Sequence, residues 1–381
     1  MDITPSTAET LHSQLLAQKI QQEIIANNGA ISFSKYMEMA LYAPGLGYYA
    51  AGRTKLGQHG DFTTAPEISP LFGATITQTL LPVIERLKTE GLPINILEFG
   101  AGSGALAESI LDALKNDGVA IDSYNILDLS ADLIDRQKNK LKGRSENICW
   151  INQLPKQFTG IILANEVLDA MPVELITLID GEWRYKDVGI NKNSNDSITF
   201  TFCPGAKVPD ELIPKHLQAA NLINGYTTEI HPQSQAWIKT LGQCLDQGIF
   251  LTIDYGFPEH EYYHPQRHMG TLMCHQGHQS DTNPLVQVGR KDITAHVNFT
   301  GVALAGQEVG LQVLGYTSQA HFLINSGLLP LLENASVQER SRAQTLIQDH
   351  EMGELFKVIA LAPGEPWTPM GFVQADRTHR L

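Results

Sequence analysis

Hydrophobic positions recur at helical spacing in the first part of the chain and at strand spacing in the middle. Over residues 6–28, Leu16, Ile20 and Ile24 fall four apart and Gly29 follows, which predicts an amphipathic helix with a stop. A shorter helix is expected at 34–42. Residues 43–73 collect Gly, Pro and Thr, which predicts a long ordered loop or lid, and a helix follows at 69–90. From residue 94 the pattern alternates. INILEFG, YNILDLS, NICWIN and GIILANE are apolar strands, with helices in SGALAESILDALKNDG and SADLIDRQKNKLKG. Strands alternating with helices predict βαβ units and a parallel sheet. After residue 173 come a hairpin, ELITLID-GE-WRYKDVGI, and another strand, SITFTFCPG. A helix at 232–246 precedes the buried strand GIFLTIDYG, and residues 257–298 are polar and rich in His, Gly and Pro. A helix (301–309), a strand (311–317), further helices and a last strand (355–361) close the chain.

The expected architecture is therefore α/β, a Rossmann-like, seven-stranded doubly wound sheet. An N-terminal helical segment with a lid loop occupies 1–92. The sheet core is drawn from 93–173, 247–256 and 299–381. A β-rich insertion covers 174–246 and a polar, substrate-covering insertion covers 257–298.

Composition narrows the class. With 381 residues, 43% hydrophobic and 18% charged, the chain can fill two or three domain-sized cores. No apolar run approaches the roughly 18 residues of a membrane helix. MDITPSTAET lacks both a secretion signal and the arginines of a transit peptide, and Cys149, Cys203, Cys244 and Cys274 show no CxxC spacing. A cytoplasmic protein with reduced thiols is expected. The formal charge is 27 − 41 = −14, with no Lys/Arg cluster, which argues against nucleic acid as a partner. Such a charge either draws a basic substrate or only aids solubility.

Candidate chemistry begins at Glu98-Phe99-Gly100-Ala101-Gly102-Ser103-Gly104, between a strand and a helix. Glycines there permit positive φ and close ligand approach, at the carboxyl end of the strand where open α/β sheets bind ligands. Gly100, Gly102 and Ala105 also satisfy the dinucleotide fingerprint. Glu98 decides against NAD: a carboxylate two residues before the first glycine suits the ammonium of a methionine moiety and sits poorly beside a pyrophosphate. Asp128, closing the next strand, can accept both hydroxyls of a ribose. Asn152 and Gln153, ending the third strand, either meet an adenine edge or are a plain polar strand end.

Several strings in order, MALYAPGLGYYA, GDFTTAPEIS, LEFGAGSGALAESIL, YNILDLSADL, ANEVLDAMPVE, DYGFPEHEYYHPQRHMGTL and DITAHVNFTG, resemble the MidA-like methyltransferases. The resemblance runs from about residue 33 to 327. It implies the class I methyltransferase fold and S-adenosyl-L-methionine binding at Glu98, Gly100, Gly102, Gly104 and Asp128. The GDFTTAPEIS segment, where Thr64, Pro66 and Glu67 match, is implied to contribute. Asp128 departs from the pattern, which expects Glu. The resemblance further implies symmetric dimethylation of a protein arginine and a link to respiratory complex I assembly. The expected partner is a protein substrate with an accessible arginine, with no nucleic acid and no membrane; a homodimer stays open.

An arginine acceptor is protonated at ordinary pH, and carboxylates can grip its fork and localise its charge. Glu166 and Asp169 in ANEVLDAMP are spaced i, i+3 and share a face if a helical turn follows the fourth strand. Either residue could instead merely cap the turn before Pro172. Asn165 sits where it can orient cofactor or acceptor, and Asp254 and Glu67 are further catalytic candidates. The His-rich stretch HEYYHPQRHMGTLMCHQGH tempts a metal reading. Pro265 breaks its helical spacing and no zinc pattern emerges, so no metal is expected. Two other functions stay open: a methyltransferase for a small-molecule nucleophile, and an assembly factor that holds the cofactor without catalysis.

Overall fold

A computed structural model describes residues 7–50, 63–192, 198–219, 221–277 and 279–381. Much of the expected lid loop, residues 51–62, lies outside the described residues, as do the first three residues of GDFTTAPEIS. The chain divides into two compact units, one from residues 55–169, 235–258 and 297–381, the other from 1–54, 170–234 and 259–296.

The first unit is built on seven strands: β1 (Asn95–Phe99), β2 (Ser123–Leu127), β3 (Ile148–Ile151), β4 (Phe158–Asn165), β5 (Leu245–Phe257), β6 (Gln312–Ser318) and β7 (Phe356–Ala362). Their order is β6-β7-β5-β4-β1-β2-β3, and β7 alone runs antiparallel to its neighbours. A two-residue strand, Val297–Asn298, adds to the end of β5. This is the doubly wound sheet that the alternation predicts. Central strands read as near-continuous apolar runs because both faces are covered, with Ile96, Ile161, Ile249 and Val358 fully buried. Strand order reverses at β1, so the crevice at the carboxyl ends of β1 and β4 is the topological switch point where such sheets bind ligands. Helix α1 (Leu71–Thr89) packs against α2 (Ala105–Asn116) at Gly73, where a Cβ would fall 1.9 Å from Ser109 Oγ.

Two local expectations change. The Gly/Pro-rich stretch ends in a short helix, Ala65–Ile68, because Pro66 in its first turn has no N–H to leave unsatisfied. No helical turn follows β4. Glu166 adopts a left-handed φ of 53°, and the side chain of Asp254 takes the N–H groups that would have started a helix.

The second unit holds helices Thr7–Ala26 and Phe33–Tyr42 and a five-stranded antiparallel sheet. Its hairpin joins Glu174–Ile179 to Glu182–Lys192. The turn is Asp180-Gly181, not the expected Gly-Glu: both residues have positive φ (50° and 81°), the requirement of a two-residue hairpin turn. The polar stretch is tied to the strand Thr227–Ile230, where the buried carboxylate of Glu229 accepts from the backbone N–H groups of Thr271 (2.9 Å) and Leu272 (3.0 Å) and from Tyr262 Oη (3.0 Å). Its desolvation raises its pKa. Gly270 is required beside it, since a Cβ there would lie 2.3 Å from Glu229 Oε1.

Candidate functional site

Gly100, Gly102 and Gly104 all have positive φ (58°, 55° and 87°), and Gly104 caps the start of α2. The loop thus carries the chain from β1 into the helix through three left-handed positions that favour glycine. Glu98 shares a face of β1 with Ile96 and is 2% exposed. Tyr124 Oη, from β2, donates to its Oε2 at 2.7 Å. Burial pushes the Glu98 carboxyl up to about 7, the Tyr124 hydrogen bond opposes this, and Asp128 adds to it. A carboxylate held in apolar surroundings with a single neutral donor is poised to receive a cation.

Asp128 stands half-buried beyond β2. Its Oδ1 accepts from the Ser130 N–H (2.9 Å) and its Oδ2 from Gln137 Nε2 (2.8 Å). Leu129 beside it is 76% exposed, an apolar surface next to the carboxylate. Asn152 and Gln153 are both exposed, just past the carboxyl end of β3.

The ends of β4 and β5 bring three carboxylates together. Asp254, fully buried, accepts from the N–H groups of Leu168 (2.9 Å), Asp169 (3.2 Å) and Tyr255 (2.9 Å). Burial raises its pKa, and the negative charges of Asp169 and Glu166 raise it further. Asp169 is buried, and Tyr255 donates its hydroxyl to it. Glu166 is half-buried. Its N–H donates to the Ile253 carbonyl (2.9 Å) and its Oε1 accepts from Asn165 Nδ2 (3.1 Å). A positive φ at a non-glycine residue is a strained conformation of a kind that clusters at functional sites. Asn165 Oδ1 is buried with no hydrogen-bond partner among the described residues.

Thr64 precedes the Ala65–Ile68 helix without capping it by its side chain, and Pro66 lies within that helix. Glu67 accepts from the Ser103 hydroxyl, linking this helix to the glycine loop.

The residues fit a sulfonium nucleoside in kind: a glycine loop at the switch point, a buried acid before it, a second acid oriented by two hydrogen bonds beyond β2, and, among the described residues, an orphaned amide oxygen at Asn165. Three side chains escape the sequence reading: Tyr124, Tyr255 and Gln137. The last had a signal. It falls four residues from both Leu133 and Leu141, a polar residue in the buried stripe of the helix that contains it.

Comparison with known proteins agrees with this geometry. Residues 75–317 match the S-adenosyl-L-methionine-dependent methyltransferase family Methyltransf_28. The mitochondrial protein arginine methyltransferase NDUFAF7 of Xenopus laevis is 28% identical, over 89% of this chain and 82% of that protein. Its Homo sapiens counterpart is 27% identical, over 89% and 81%. A crystal structure of a Burkholderia thailandensis protein bound to S-adenosyl-homocysteine is 40% identical with a TM-score of 0.92, covering 99% of each chain. The expected cytoplasmic placement is corrected here. The NDUFAF7 relatives are named mitochondrial, and neither the first residues nor the scattered cysteines establish a compartment.

Proposed function

The chain belongs to this S-adenosyl-L-methionine-dependent methyltransferase family, and from that premise we propose that it methylates arginine side chains of a protein. The observation that carries the reading is the convergence of Glu166, Asp169 and Asp254 at the carboxyl ends of β4 and β5. A neutral amine or hydroxyl acceptor asks for a base, whereas a guanidinium asks for carboxylates that grip its fork. The name of the NDUFAF7 relatives supports the same substrate class. The family resemblance extends the product to symmetric dimethylarginine and the setting to respiratory complex I assembly.

In this reading Glu98 receives the ammonium of the methyl donor, Gly100, Gly102 and Gly104 admit its backbone-hugging chain, and Asp128 takes the ribose hydroxyls. Asn152 and Gln153 face the adenine edge. The donor supplies a sulfonium methyl already activated for displacement. Glu166 holds the acceptor guanidinium, and Asn165 fixes the carboxylate of Glu166 through its hydrogen bond. Asp254 does not touch the acceptor; it positions the turn by its three backbone contacts. Asp169, held by Tyr255, orders the same turn from its other side. Glu67 braces the glycine loop at Ser103, with Thr64 and Pro66 setting its short helix. Alignment of this kind is worth roughly 7–11 kcal/mol of barrier in well-oriented reactions.

Glu166→Gln tests the clamp, since it keeps the shape and removes the charge. S-adenosyl-homocysteine affinity should stay within a few-fold of wild type while turnover falls by roughly 10²-fold or more. Near-normal turnover would remove Glu166 from the acceptor site, and lost cofactor affinity would move it into the donor site.

A further inference from the structure

The two halves of the donor cradle are joined by one buried side chain. Gln137, fully buried on the helix Ala131–Lys140, donates from Nε2 to the Gly102 carbonyl (3.0 Å) and to Asp128 Oδ2 (2.8 Å). Its Oε1 accepts from Trp150 Nε1 (3.0 Å) on β3. An indole N–H can only donate, so Trp150 fixes which end of the amide is oxygen and commits both N–H groups to the cradle. The helix is seated on the loop as well, since a Cβ at Gly104 would lie 3.4 Å from Gln137 Cα.

We propose that Gln137 is a positioning residue that couples the glycine loop to Asp128, so that the methionine and adenosine ends of the donor bind cooperatively. The inference rests on the donor placement proposed above, with Glu98 at the ammonium and Asp128 at the ribose. The physical argument is preorganisation. A loop whose carbonyl is held by a water-excluded donor is ordered before the ligand arrives, and the same amide fixes the angle of the ribose acid. A ligand that engages both ends draws on both constraints. One that engages only the ribose end draws on one. The short reach of Asp128 fits this arrangement: Ser130 and Gln137 each hold one of its oxygens, so its direction is set by the protein.

Calorimetry with S-adenosyl-homocysteine and with 5′-methylthioadenosine, which lacks the amino-acid end, tests the coupling without any methyl acceptor. Gln137→Met keeps a similar volume and removes both donors. It should weaken S-adenosyl-homocysteine about 10-fold or more, as for a buried hydrogen bond lost, and methylthioadenosine by about 3-fold or less. Trp150→Phe, which keeps an aromatic ring and removes the indole N–H that fixes the amide, should give the same ordering with smaller losses and guards against a Gln137 variant that fails to fold. Asp128→Asn should weaken both ligands by the same factor. A Gln137→Met protein within two-fold of wild type for S-adenosyl-homocysteine, or with equal losses for the two ligands, overturns the coupling. An Asp128→Asn protein with wild-type affinities overturns the ribose placement itself, and the coupling with it.

Discussion

Replacing Glu98 by Gln should stabilise the ligand-free protein and weaken the ligand. Glu98 is 2% exposed and its pKa is raised from the ordinary 4.5 to about 7, chiefly by desolvation. Below pH 4.5 both folded and unfolded chains hold the proton. Between 4.5 and about 7 the folded chain keeps a proton that the unfolded chain releases, so stability falls as pH rises and levels off above about 7. At about 1.4 kcal/mol per pH unit, the full difference at pH 8 is about 3 kcal/mol. Glu98→Gln keeps an oxygen to accept from Tyr124 Oη and has no charge to desolvate. Its melting temperature should match wild type near pH 5 to within a few degrees and exceed it by several degrees at pH 8. S-adenosyl-homocysteine binding should move the other way, since a charge-assisted hydrogen bond worth roughly 1.5–3 kcal/mol is lost, about 10- to 150-fold in Kd. Thermal melts at the two pH values and calorimetry at pH 8 check both arms. A variant less stable than wild type at pH 8 that binds S-adenosyl-homocysteine normally would refute the reasoning, because Glu98 would then be a structural hydrogen-bond partner and not a receptor for the ammonium.

Other outcomes follow from the same geometry. Gly102→Val should abolish S-adenosyl-homocysteine binding in calorimetry, because a β-branched residue resists the φ of 55° held there. Asp254→Asn sets an amide N–H against a backbone N–H at Leu168, Asp169 or Tyr255; it should lower stability by roughly 1–3 kcal/mol in denaturant melts and turnover with it, with donor affinity kept within a few-fold. Wild-type S-adenosyl-homocysteine affinity should rise between pH 6 and 8 as Glu98 ionises, a trend absent from Glu98→Gln. Catalytic efficiency should fall as salt rises, since the net charge of −14 steers a basic substrate over a Debye length of about 8 Å at physiological ionic strength; a flat salt profile would leave the charge to solubility alone.

The sheet was legible because its strands are buried on both faces and its helices punctuate them at regular intervals. β1, β4 and the two closing strands fall within a residue or two of their apolar runs, and β2 ends three residues before the end of YNILDLS. The glycine loop was legible for a related reason: Glu98 and the three glycines lie within seven residues, so one stretch carries them all. The carboxylate cluster was not. Glu166 and Asp169 are brought together with Asp254 by a turn that Asp254, 85 positions from Asp169, pins through its side chain, and the i, i+3 spacing places the two on one face only if a helical turn forms there. Gln137 was missed because an amide in an amphipathic stripe reads as an irregularity until its three partners are in place. The hairpin turn was offset by one residue because Asp180, like Gly181, takes a positive φ.

The central claim is chemical: Glu166, at the end of β4, serves a guanidinium acceptor from a turn that Asp254 and Asp169 hold in place. It is tested most directly by incubating the protein with methyl-labelled S-adenosyl-L-methionine and a demethylated proteome, hydrolysing the labelled proteins and separating the methylated amino acids. The prediction is label in methylarginine, with symmetric dimethylarginine as the end product, lost with Gly102→Val and strongly reduced with Glu166→Gln. Label in lysine, histidine or a small molecule, with methylarginine unlabelled, would contradict it.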